Sequence, residues 1–86
     1  MRVLYHPKFA REYRKLPDHI KDAAEEKEQL LRQDPFHPKL KTHKRKGALK
    51  GFWAFSINQK YRIIFDFTEE GNVRFYSVGN HDIYDV

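Results

Sequence analysis

The chain contains no cysteine, which excludes disulfides, thiolate catalysis and thiolate metal sites. It has no apolar run approaching the roughly 20 residues of a membrane helix. Its opening, MRVLYHPKF, is too short and too polar for a secretory signal. The expectation is a cytoplasmic protein with no membrane contact. A glycine-rich phosphate loop is missing, as are the HxH and HExxH spacings that gather imidazoles on a metal, so no cofactor or metal is expected.

What is present is aromatic and charged. Seven Phe, five Tyr and one Trp, with 40% hydrophobic residues, argue against disorder although 34% of the chain is charged. Its 86 residues suit one domain over 1–86, with helices covering one face of a sheet.

The charge is local. Six of the 17 Lys and Arg residues (Lys39, Lys41, Lys44, Arg45, Lys46 and Lys50) lie in His37 to Lys50, which holds no acid; the other 11 face 12 acids. A dense cationic stretch in an otherwise balanced chain is a footprint for a polyanion, because each phosphate neutralised releases condensed counterions. RNA, DNA or an acidic protein partner all supply that negative charge, and a solvated loop kept soluble by its lysines has the same composition.

Arg2 to His6 reads as a short strand, followed by Pro7 at a helix start and by Phe9, Tyr13 and Leu16 at helical spacing up to Pro17. Asp18 is expected to cap a second helix, with Ile20, Ala23, Ala24, Lys27, Leu30 and Leu31 as its stripe and Asp34-Pro35 as its end. The aromatic and β-branched runs FWAFSIN, YRIIFDF and VRFYSVG, separated by turn residues, predict three antiparallel strands. The fold class is thus α+β: an N-terminal strand and a helical hairpin packed on a small antiparallel sheet.

Opposed residues share a face. Pairing Phe55 with Ile63 and Trp53 with Phe65 assembles an apolar face for the helices, and pairing Phe65 with Phe75 sets Asp66 opposite Arg74 on the other. The same register sets Arg62 opposite Val78, with Ser56 also on the polar face.

Two of the five histidines have suggestive neighbours. His43 lies in the basic loop, where clustered positive charge favours a neutral imidazole able to act as a base. His81 sits in the terminal GNHDIYDV beside Asp82, which favours a proton donor. Two imidazoles with cations meet the needs of metal-free RNA cleavage: a base for the ribose 2′-hydroxyl, a cation for the phosphorus-bound oxygens and an acid for the 5′-oxygen.

The order of helix, helix and basic loop, then LKGFWAFSINQKYRIIFDF and GNHDIYDV, resembles the RelE/ParE superfamily of type II toxin-antitoxin toxins. The Gly-Phe-Trp, turn and Tyr-Arg-Ile-Ile segment is most similar to the YoeB and YafQ branches. The resemblance implies a RelE-like microbial ribonuclease fold and a ribosome-dependent mRNA interferase that arrests translation without a metal. It also implies a cognate antitoxin, through which operator DNA is bound indirectly. By position, His43 is similar to the general base, Arg62 to the arginine that stabilises the transition state and His81 to the residue of proton transfer. Tyr84 falls where an aromatic contacts a substrate base, and Lys41, Lys44, Arg45, Lys46 and Lys50 supply the RNA- and ribosome-binding charge. Two other classes fit the same chain: a ParE-like toxin that binds DNA gyrase, and a nonenzymatic RNA- or ribosome-binding module.

Overall fold

The computed structural model describes residues 1–80. In chain order the elements are β1 (Val3–Tyr5), α1 (Pro7–Arg14), α2 (Asp18–Gln33), β2 (His43–Lys44), β3 (Trp53–Ser56), β4 (Tyr61–Phe67) and β5 (Val73–Asn80), with short 3-10 turns at Pro38–Leu40 and Gly47–Leu49. The strands form one sheet in the order β1-β5-β4-β3-β2.

The helix starts follow from their caps. Pro7 opens α1, and the Lys8 N–H donates to His6 Nδ1 at 3.0 Å, so this histidine fills the role usually taken by a short polar residue. Pro17, in extended geometry, is the residue that precedes α2, and no side chain caps that end. The expected Asp18 cap is corrected: only Lys15 to Pro17 join the helices, and the Pro17 carbonyl already accepts from Ile20 and Lys21 at 3.0 Å. Asp18 instead lies in the first turn, where its charge complements the helix dipole. Ile20, Ala24 and Leu31 of α2 are buried, as is Phe9 of α1.

The β3–β4 register is as expected, with Trp53 opposite Phe65 and Phe55 opposite Ile63. Phe65 also faces Phe75, and Asp66 faces Arg74. Phe55, Phe65 and Phe75 are fully buried and join Leu31, Leu40 and Val78 in the core.

Three expectations change. The sheet is mixed rather than purely antiparallel, because β1 pairs in parallel with β5 (Val3 opposite Val73). Nearly the whole chain separates those strands, so no local turn signal reports their pairing. His43–Lys44, expected within a loop, is a short edge strand antiparallel to β3, with His43 opposite Ala54. Finally, the β4–β5 ladder shifts between Ile64 and Phe65, so Arg62 faces Gly79 and not Val78. Tyr76 is the extra residue of this bulge, which lets Phe75 and Val78, three positions apart, both join the core.

Among the described residues no strand pairs with the outer edge of β5 beyond Phe75, and Glu12 of α1 covers that edge. Its Oε1 accepts from the Val78 N–H at 3.1 Å and the Ser77 hydroxyl at 2.7 Å, while Lys8 Nζ donates to Oε2 at 2.9 Å. Burial raises the Glu12 pKa, but the bonds from Lys8, Ser77 and Val78 outweigh it and hold the carboxyl below the usual range. A carboxyl depressed in the fold adds stability above its unfolded pKa of about 4.3 and loses it as pH falls. Glu12→Gln is therefore expected to cost about 1 kcal/mol at pH 7, with the difference closing below about pH 4. Urea denaturation at the two pH values checks this; a gap that persists in acid would show that charge is not the cause.

Candidate functional site

On the face of the sheet away from the helices, the pairing places His43 beside Ala54 and Ile64 in one row, and Ser56 beside Arg62 in the next. Two strand spacings of about 4.8 Å and a rise of about 6.6 Å put the His43 and Arg62 Cα atoms about 12 Å apart. Edge pairing thus carries His43 onto the face that holds Arg62.

His43 is exposed. Its Nδ1 lies 2.9 Å from the Lys41 carbonyl and its Nε2 3.4 Å from Arg45 Nη1. The two contacts fit one tautomer, in which Nδ1–H donates to the carbonyl and the Nε2 lone pair faces the guanidinium.

Arg62 is held at the β3–β4 turn. Its Nη1 donates to the Asn58 carbonyl at 2.7 Å and the Tyr61 carbonyl at 3.2 Å. The turn is itself fixed, since Asn58 Oδ1 accepts from the Lys60 and Tyr61 N–H groups at 2.8 and 2.9 Å.

The basic residues divide between two recesses. Lys44, Arg45, Lys46 and Lys50 line one of about 500 Å³ with Phe52 and Trp53. The Arg45 N–H donates to the Phe52 carbonyl at 2.9 Å, and Gly51 returns the chain to β3 at φ 94°, which glycine adopts without strain. Lys44 Nζ stands 5.4 Å from the Trp53 ring centroid, so cation and ring present one surface. Lys41 lies in the second recess with Arg62, Lys27 and Lys39. Lys27 and Lys39 are absent from the set expected from sequence; the signal for Lys27 was a lysine within the apolar stripe of α2.

His81 and Tyr84 lie outside the described residues. His37, like His6, caps a turn: its Nδ1 accepts from the Lys39 N–H at 3.1 Å. Among the described residues no three His, Asp or Glu side chains gather as a metal-binding group, and no helix is long and apolar enough to cross a membrane.

The model of the ParE toxin family of type II toxin-antitoxin systems matches residues 3–83. The chain belongs to this family. No curated protein sequence matches it closely. Among solved structures it is similar to YafQ from Escherichia coli BL21(DE3), at 18% identity and a TM-score of 0.81 over 100% of both chains. A YoeB/ParE toxin from Agrobacterium tumefaciens superposes at 0.79 with 14% identity, covering 94% of this chain and 99% of the other. The RelBE2 toxin-antitoxin complex from Mycobacterium tuberculosis gives 0.76 at 21% identity, over 93% and 96% of the respective chains. At these identities the likeness is one of fold. The expected superfamily is thus confirmed: the protein is a RelE/ParE-superfamily toxin, and its described residues form two helices on a five-stranded mixed sheet.

Proposed function

We propose that this toxin is a metal-independent endoribonuclease that cleaves mRNA on the ribosome and so arrests translation. The observation that carries the reading is the placement of His43 and Arg62 on one sheet face, flanked by a basic segment without a carboxylate.

His43 Nε2 takes the proton of a ribose 2′-hydroxyl, with the hydroxyl displacing Arg45 from the imidazole. The 2′-oxygen bonds to phosphorus, Arg62 stabilises the charge on the non-bridging oxygens, and the bond to the 5′-oxygen breaks. His81 protonates that leaving oxygen, giving a 2′,3′-cyclic phosphate and a 5′-hydroxyl end. Lys41, Lys44, Arg45, Lys46 and Lys50 hold ribosomal or messenger phosphates, and Tyr84 stacks on a substrate base. The same acid-free surface attracts the acidic segment of a cognate antitoxin, which covers the site and carries the complex to operator DNA. A cytoplasmic location follows from this substrate.

The family match favours a second reading, a ParE-type toxin that binds DNA gyrase and cleaves nothing. Cleavage of mRNA on programmed ribosomes separates the two. The expected result is a cut with a 2′,3′-cyclic phosphate, slowed about 10²- to 10⁴-fold by His43→Ala. Intact mRNA together with inhibited gyrase supercoiling would overturn the nuclease reading.

A further inference from the structure

Lys27 is anomalous in α2. The helix carries Asp18, Asp22, Glu25, Glu26 and Glu28, yet the neighbours of Lys27 three and four positions away are Ala23, Ala24, Leu30 and Leu31, so its own helix face offers no acid. It is half-buried and lines a recess of about 370 Å³ with Lys39, Lys41 and Arg62. Among the described residues the rest of the wall is Ser56, Ile57, Asn58 and Gln59, none of them a carboxylate.

The ion pairs among the described residues join Lys8 to Glu12, Arg32 to Glu28 and Arg74 to Asp66, and none involves these lysines. The three ammonium groups of Lys27, Lys39 and Lys41 around one small recess repel one another, a cost that a bound anion removes. A second observation is independent of charge. Ser56, one of the residues lining this recess, is only 6% exposed, and among the described residues its buried Oγ has no hydrogen-bond partner. Buried hydroxyls are nearly always partnered, and an anionic oxygen in the recess would accept from this one.

We propose that the recess is a phosphate subsite, in which Lys27, Lys39, Lys41 and the Ser56 hydroxyl hold the RNA backbone phosphate next to the one that Arg62 engages. The proposal rests on the nuclease reading for the identity of the polymer. It adds a path for the strand, past the β3–β4 turn and against α2, which the basic loop alone does not give.

The test is binding of a single-stranded 2′-O-methyl RNA oligomer, which lacks the nucleophile, as a function of salt. Losing one phosphate contact makes the slope of log affinity against log salt about 0.7 shallower for a single strand. That change is expected for the double variant Lys27→Gln/Lys39→Gln, and no change for Lys15→Gln, which removes an exposed charge outside the recess. Ser56→Ala is expected to weaken binding with no fall in thermal midpoint, since the hydroxyl it removes has no partner among the described residues. A double variant that folds and keeps the slope of the Lys15 control would overturn the subsite, as would a wild type that does not bind the oligomer at low salt. Because the oligomer cannot be cut, failed cleavage on ribosomes leaves a slope difference standing. Cleavage with unchanged slopes sinks the subsite alone.

Discussion

Arg62→Lys is expected to slow mRNA cleavage about 10²- to 10³-fold, the usual loss when one preorganised donor to a developing oxyanion is removed. The fold should survive, because Arg62 lies at the start of β4 and is partly exposed. Lysine preserves the charge but not the planar fork, whose several N–H groups contact turn carbonyls and, in the proposed mechanism, reach phosphate oxygens at the same time. The Nη1 bonds to Asn58 and Tyr61 fix where that fork sits, and an ammonium cannot reproduce them in the same geometry. Single-turnover cleavage on programmed ribosomes, with thermal unfolding as the control, measures the effect. A lysine variant within about threefold of wild type would show that charge alone suffices at this position and would overturn the transition-state role of the planar fork.

Phe75→Ala is expected to cost about 3–5 kcal/mol, a large part of the roughly 4–13 kcal/mol that a chain of this length has in total. The Phe75 ring is fully buried and lies 5.3 Å from Phe9, 5.6 Å from Phe55 and 5.7 Å from Tyr5. It therefore ties α1, β3 and β1 to β5, and truncation leaves a cavity that three elements would have to close. Urea denaturation followed through the single tryptophan, Trp53, reads the loss directly. Phe75→Leu, which fills most of the space, should recover most of the stability. An alanine variant within about 1 kcal/mol of wild type would mean that the site collapses freely and that the aromatic cluster is not the centre of the core.

Local pattern was enough for the helices and the meander. Phe9 and Tyr13 at helical spacing, Pro7 at the start of α1 and Asp34-Pro35 at the end of α2 act within a turn or two of chain. Alternation along Trp53 to Ile57 and Tyr61 to Phe67 set the β3–β4 register, because a one-residue slip would turn every core side chain to solvent. Alternation could not report the bulge at Tyr76, where Phe75 and Val78 both turn inward and Arg62 moves from Val78 to Gly79. Nor did composition distinguish a basic loop from a short edge strand: His43–Lys44 has only two residues, too few for a periodicity to show.

By itself, then, the sequence determined the element order, the aromatic core and the concentration of positive charge between His37 and Lys50. These depend on residue type and short spacing, which the chain carries wherever it goes. Tertiary structure alone decided that β1 closes the sheet in parallel against β5 and that His43 shares a face with Arg62. It also decided that Lys27, from the apolar stripe of an acidic helix, lines one recess with Lys39, Lys41 and Ser56. Each of these is a contact between residues far apart in the chain, set by how the whole sheet twists and pairs, and no local spacing encodes it.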